Sequence, residues 1–418
     1  MNRVVVTGVG VMSPVGSGRE VFWGNLLAGR SGIAGITLFD ASTFPVRIGG
    51  EVKDMDLARI VDEFPGAAGI RERKILFALG AARDAVEDSG IREGELKDAV
   101  LEVGVGQEVL HLEDVTPFAH DADPGGSSMR GLLADPTRRA LQAPPDSATV
   151  ILGGRYGLLG GRYTNCSACA AGAQVVGEAF HMLRDGEVEV ALVGAADSPI
   201  NPLGLGGFIV LRVLSEENDR PARACRPFDA TRIGTVLGEG GAFLVLETME
   251  RARARGARAY AEVVGYGSSL DAFRVSEPDP NGRGAAESMR RAIEDAGLGA
   301  TEVDCVNTHG TGTPKNDAVE TAAIKEVLGK RAYEIPVHSV KSMTGHMIAA
   351  CGAVEIIAGC LTLARGAVPP TINLERRDPR CDLDYVTEGA RRFEGETVLS
   401  NSFGFGGQNA TVVLRRFS

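Results

Sequence analysis

Thr164-Asn165-Cys166-Ser167-Ala168-Cys169-Ala170-Ala171-Gly172-Ala173 places two cysteines three residues apart and then runs into small residues that open a helix. A zinc site needs a second Cys/His pair at ligand spacing, and neither Cys225 nor Cys305 belongs to one. A thioredoxin-like dithiol at a helix start is a second reading, and a pair of small buried thiols a third. The fourth is a nucleophile at Cys169. Ala170-Ala171-Gly172-Ala173 lets a substrate approach a helix N-terminus closely, where free backbone N–H groups bind an oxyanion. A helix dipole contributes about 0.3–1 kcal/mol, up to about 2, which takes a thiol from ~8.5 to ~7–8 at most, so polar partners are also required.

Working outward, Arg3–Thr7 is a β-branched run that meets Gly8 and Gly10, a buried strand ending in a glycine turn. Helical spacing covers 72–90, and Val100–Gly104 reads as a strand. Residues 112–150 are polar and proline-bearing, a loop-rich excursion with one short helix. Ala173–Asp185 is a helix, with strands at Val188–Gly194 and Gly241–Leu246. The second half repeats this grammar. Strands are expected at Tyr260–Gly265, Cys305–Asn307, Pro336–Lys341, Ala390–Asn401 and Ala410–Arg415. Helices are expected at Gly284–Gly297, Asp317–Leu328 and Gly352–Arg365. Such alternation predicts α/β layers around buried sheets, with an internal duplication whose halves meet near residue 255.

The chain has 418 residues, enough for a large core. Gly at 55 is nearly twice the ~7% average, which implies tight turns and close backbone approaches. A net charge of −11 argues against a nucleic-acid partner. Seven cysteines without regular spacing read as reduced thiols of a cytoplasmic protein. No run of 18 apolar residues occurs, so no membrane span is expected.

Two histidines share the setting of Cys169. His309 lies in Asn307-Thr308-His309-Gly310-Thr311-Gly312-Thr313, and His346 in Lys341-Ser342-Met343-Thr344-Gly345-His346 ahead of a small-residue helix with Glu355. Strand-end loops are where α/β proteins place their sites. His111, His120, His181 and His338 lack that context. Phe403-Gly404-Phe405-Gly406-Gly407 lacks the Lys-Ser/Thr of a phosphate loop; its glycines suit backbone approach to an acyl thioester better.

With these segments in order, the sequence resembles the elongating β-ketoacyl-[acyl carrier protein] synthases, thiolase-like condensing enzymes. The motifs are VVVTGVGVMSPVG (4–16), SACAAG (167–172), GEGGAFLVLE (238–247), NTHGTGTPKNDAVE (307–320), SVKSMTGHMIAACGAVE (339–355), AVPPTINLE (367–375) and NSFGFGG (401–407). The resemblance implies a duplicated α-β-α-β-α layered fold with buried mixed five-stranded sheets. Its halves would be 1–255, with a loop-rich insertion at 106–155, and 256–418. It implies that Cys169 takes the growing acyl chain, and that His309 and His346 promote decarboxylation of a malonyl-carrier thioester. Lys341 and Glu355 match a buried charge pair, with Asp317 and Glu320 in the same supporting network. Phe405 matches a gate, its backbone N–H and that of Cys169 an oxyanion hole, and Thr311, Thr313 and Gly406 contacts to substrate. No cofactor is implied beyond the phosphopantetheine of an acyl carrier protein, and no metal. The carrier is acidic, so a basic rim is expected from Arg71, Arg73, Lys74 and Arg212, with Arg138 and Arg139 as further candidates. A homodimer, or a heterodimer with a chain-length-factor-like subunit, follows from the family.

One departure stands out. After Gly104-Val105-Gly106 the family continues with small or apolar residues, whereas this chain has Gln107-Glu108. An unpartnered buried polar group costs roughly 1–3 kcal/mol, so either these residues find partners or Gln107 meets an unusual acyl chain, which raises a type II polyketide or polyene pathway as the alternative to ordinary fatty acid synthesis. Two rivals remain: a thiolase, which uses a second Cys and one His, and a non-catalytic chain-length-factor-like partner, which lacks the nucleophilic Cys. Cys166 is read as a buried filler on the strand before the site.

Overall fold

Gly8 and Gly10 do not end the first strand. β1 (Val4–Met12) runs through both, because helix α1 (Arg73–Ser89) lies directly on them. A Cβ at Gly8 would stand 2.2 Å from the Ala85 carbonyl oxygen, and one at Gly10 2.0 Å from that of Ala81. The glycines serve close packing here, and the chain turns beyond Met12 instead.

The computed structural model describes residues 1–106 and 144–417. Gln107, Glu108, His111, His120, Arg138, Arg139 and most of the 106–155 insertion lie outside the described residues. Beyond β1, the strands of the main sheet are β2 (Val100–Gly104), β3 (Arg162–Asn165), β4 (Val190–Asp197), β5 (Gly240–Thr248), β6 (Ala261–Leu270), β7 (Cys305–Asn307), β8 (Val337–His338), β9 (Thr397–Gly404) and β10 (Gln408–Arg415). The further principal helices are α2 (Ala171–Asp185), α3 (Pro202–Val210), α4 (Arg283–Asp295), α5 (Asn316–Leu328) and α6 (Ala350–Arg365).

Strand order is β8-β7-β9-β10-β6-β1-β5-β4-β2-β3. This is one five-stranded pattern written twice. Within each group of five the first strand pairs antiparallel with the fifth and the fifth antiparallel with the fourth, while the remaining two join in parallel. The two groups meet where Val4–Val6 of β1 pair with Ala261–Val263 of β6. The duplicated mixed sheets expected from the motifs are therefore present, joined at a three-residue seam.

α2 and α6 lie between the two groups and touch strands of both, giving the α-β-α-β-α layering. Where their N-terminal ends cross, the residues that meet are Gly and Ala. A Cβ at Gly172 would come 2.5 Å from the Ala349 carbonyl oxygen, and one at Gly352 2.5 Å from the Ala173 nitrogen. Glycine at the crossing lets the helices touch backbone to backbone and brings their N-terminal ends together. Outside, α1 covers one group over an apolar core, while α4 and α5 cover the other.

Several expected elements are redrawn. Pro336–Lys341 is only a two-residue strand, because the chain turns into a helical segment at Lys341–Thr344. The late strand at 390–401 splits: Arg391–Arg392 pairs with Ala367–Val368, and β9 begins at Thr397. α3 was not legible, its glycines at 204, 206 and 207 masking helical spacing.

Candidate active site

Cys169 sits in a tight turn (Ala168–Ala170) between β3 and α2, buried at 3% exposure. Ala168 is held at φ 51°, a conformation L-residues adopt only under constraint, and this aims the next residue into the interior. Gly404 supplies part of that constraint, since a Cβ there would lie 3.2 Å from the Cys169 nitrogen. Burial pushes the Cys169 thiol up to about 12, although the backbone of Phe405, its own backbone and the Lys341 cation all pull it down. The resting group is thus a neutral thiol, and the helix start does not by itself ionise it. Cys166 is exposed. The expectation of a buried filler is corrected: residue 166 follows the end of β3, the outermost strand of the sheet.

His309 and His346 face each other with ring centroids 5.3 Å apart at 83°, and Phe403 flanks His309 at 5.8 Å. His346 lies just before α6, as Cys169 lies just before α2. Ile348, at φ 48°, turns its backbone N–H onto His346 Nδ1 at 3.2 Å. An Nδ1 that accepts a hydrogen bond leaves the proton on Nε2. Burial first, and then the Lys341 cation, hold both imidazoles well below the ordinary histidine range, with His346 adding to the effect on His309. Both rings are neutral donors at physiological pH.

Lys341 and Glu355 form an ion pair with 0% and 1% of their side chains exposed. Burial pushes the Glu355 carboxyl up while the Lys341 ammonium pulls it down, and the carboxylate holds the ammonium above its ordinary value. Glu320 accepts the backbone N–H of His309 and of Gly310, each at 2.8 Å, and fixes that loop. Asp317 accepts from Gly312 at 3.2 Å and Phe228 at 2.8 Å.

Cys169, His309, His346, Thr311, Thr313, Phe403 and Phe405 line one cavity of about 430 Å³. Phe405 stands half-buried on its wall, 6.3 Å from the Phe208 ring. Gly406 adopts φ 81° in the turn and gives its N–H to the Val275 carbonyl at 2.6 Å. Its N–H is thus taken within the chain. Cys351 and Asp197 were not singled out in the sequence. Cys351 Sγ lies 3.2 Å from His346 Nδ1, and Asp197 accepts from Ala349 at 3.3 Å; no local motif marks either.

The expected basic rim divides. Arg71 and Arg212 are exposed, and Arg212 stands at the cavity wall. Arg73 gives its guanidinium to Glu239 at 3.0 Å and the Val52 carbonyl at 2.9 Å, and Lys74 is buried at 4% beside Asp197 and Glu72. A carrier-facing role for these two is corrected: their charge is spent on internal acids.

A buried thiol, two neutral imidazole donors and backbone N–H groups converging on one cavity, at the ends of a duplicated fold's central helices, define a thiolase-like condensing site. The chain belongs to the β-ketoacyl synthase family. Residues 1–252 match the model described as "Beta-ketoacyl synthase, N-terminal domain" and 260–375 the one described as "Beta-ketoacyl synthase, C-terminal domain". It is 41% identical over 418 residues to 3-oxoacyl-[acyl-carrier-protein] synthase 2 of Synechocystis, covering 99% of this chain and 98% of that one. It is 39% identical to the tetracenomycin polyketide synthase ketoacyl synthase alpha subunit of Streptomyces glaucescens, covering 99% and 97%. Among solved structures, the ishigamide ketosynthase/chain length factor superposes with TM-score 0.86 at 35% identity, each chain fully covered. A type II polyketide ketosynthase in complex with its acyl-carrier protein superposes at 0.83 and 32%, again with full coverage.

Proposed function

We propose that the Cys169 cavity carries out decarboxylative Claisen condensation. An acyl group held as a thioester on Cys169 joins a malonyl unit held on an acyl carrier protein, giving a 3-ketoacyl-carrier product two carbons longer. The observation that carries this reading is the pairing of His309 and His346 beside a buried thiol.

Loss of CO₂ from the malonyl thioester leaves its C–C electron pair on the thioester as an enolate. The neutral imidazole N–H groups stabilise the developing oxygen charge in a site of low dielectric. The enolate carbon attacks the acyl-Cys169 carbonyl, the tetrahedral oxygen is held by the backbone N–H groups of Cys169 and Phe405, and collapse expels the Cys169 thiolate. Thioester activation and decarboxylation supply the driving force, so the reaction calls for no cofactor besides the carrier's phosphopantetheine, which Thr311 and Thr313 contact. Burial and the Lys341 cation keep the histidines neutral, and Glu355 holds Lys341 in place. A chain-length-factor role is disfavoured because Cys169 is present and lines the cavity with both histidines. The working form is a dimer, of two copies or with a chain-length-factor-like subunit, in the cytoplasm. No helix among the described residues is long and apolar enough to cross a membrane.

Incubation with a panel of acyl-carrier thioesters followed by peptide mass spectrometry is expected to find the acyl mass on the Cys169 peptide. The preferred chain identifies the pathway. Acylation elsewhere, or none across the panel, rejects the assignment. Arg212→Glu is expected to raise KM for carrier-bound substrate more than it lowers kcat, because it inverts an exposed charge at the cavity wall. Unchanged kinetics would remove Arg212 from the docking surface.

A further inference from the structure

We propose that Arg232 is the positioning residue of the Thr311–Pro314 loop, setting it to receive the pantetheine arm; this rests on the reading of Thr311 and Thr313 given above. The loop leaves β7 through Gly310 at φ 38° and Gly312 at φ 80°, a path that its own helical or sheet bonds do not hold. Arg232 comes from a different segment, behind the loop, with 2% of its side chain exposed. Its Nε donates to the Thr313 carbonyl at 3.1 Å and its Nη2 to the Pro314 carbonyl at 3.2 Å. Nη1 is anchored on the Asp229 carbonyl and on Asp378 Oδ2, both at 2.8 Å. Asp317, which takes the Gly312 N–H, lies 3.5 Å from Arg232 Nε. The loop's carbonyls and its amide are therefore gripped by the two members of one buried ion pair.

This grip determines what the loop offers the cavity. Thr311 Oγ accepts the Thr313 N–H at 3.4 Å, Thr313 Oγ accepts the Asn316 N–H at 3.3 Å, and the two hydroxyls bond each other at 3.0 Å. Both residues line the cavity; one O–H is consumed between them, and the other is left as a donor for an amide carbonyl of the arm. A planar guanidinium can hold two successive carbonyls at once, whereas an ammonium holds a single point. Arg232 does not line the cavity, so its effect on substrate passes through the loop.

The test measures KM and kcat for malonyl-carrier in Arg232→Lys, Asp378→Asn and Thr311→Ala, with iodoacetamide alkylation of Cys169 as a control for the intact nucleophile. Arg232→Lys is expected to raise KM by about 10-fold with kcat changed by no more than about 2-fold and the alkylation rate kept. Asp378→Asn, which loosens one anchor, is expected to raise KM by about 3-fold, and it decides the matter if Arg232→Lys does not fold. A raised KM in Thr311→Ala with no change in the folded Arg232 or Asp378 variants would overturn the positioning role and leave the pantetheine reading standing. An unchanged KM in Thr311→Ala would instead reject that reading itself. A fall in kcat and alkylation at constant KM would show a structural effect and overturn the proposal.

Discussion

Cys169→Ala is expected to abolish chain extension by the purified protein, by at least ~10³-fold, while decarboxylation of malonyl-carrier continues. The two outcomes separate because the site separates the chemistry. Among the described residues that line the cavity, Cys169 is the sole thiol, and Cys351 is turned toward His346 Nδ1 and the Met347 N–H. The enolate, by contrast, is stabilised by His309 and His346, which the substitution leaves in place. Alanine removes a buried sulfur of modest volume, and the backbone strain at Ala168 and the glycine contact at Gly404 remain, so the fold is kept. Extension assayed with preloaded acyl-carrier, beside CO₂ release from malonyl-carrier, checks both halves. Extension at wild-type rates would transfer catalysis to another subunit and reinstate the chain-length-factor reading.

Lys341→Met is expected to have the largest effect on stability and on pH dependence together. It leaves the Glu355 carboxyl buried at 1% exposure without its cation, and breaking a buried pair costs about 3–5 kcal/mol. Removing the cation also removes the charge that depresses both histidines. Their pKa values then rise toward the ordinary histidine value, while burial still holds them below it. The sign follows from the active form being neutral: activity is lost as pH falls through the histidine pKa, so a raised pKa moves the acid limb of kcat/KM to higher pH. Lys341→Met/Glu355→Leu restores much of the stability, since apolar replacement of a buried pair is often neutral or better, but keeps the shifted limb. Urea unfolding and a pH–rate profile measure the two effects separately. An acid limb that stays put in the folded double variant would mean that Lys341 does not tune the histidines.

Much of this was legible because the chain writes its strands as β-branched runs and its site loops as glycine and threonine beside one reactive residue. Cys169, His309 and His346 could be grouped on that ground alone, and the cavity does gather them. What escaped depends on distant partners. Gly8 and Gly10 look like a turn until α1 is laid on them. Arg73 and Lys74 look like surface charge until Glu239 and Asp197 arrive from other segments. Cys166 looks like core until β3 proves to be the outermost strand. The Ile348 N–H that fixes His346 is a backbone group, and no side-chain pattern announces it.

The glycine crossing of α2 and α6 divides responsibility for what this enzyme can become. The separation of nucleophile from imidazole is set by main chain meeting main chain at Gly172 and Gly352, with no side chain to be traded. The walls of the cavity, among them Phe208, Leu211, Ile233 and Val275, are side chains and can change without disturbing that separation. Selectivity for the acyl chain is therefore free to drift while the reacting atoms stay fixed. A lineage built on such a scaffold diversifies its products without having to reinvent its chemistry.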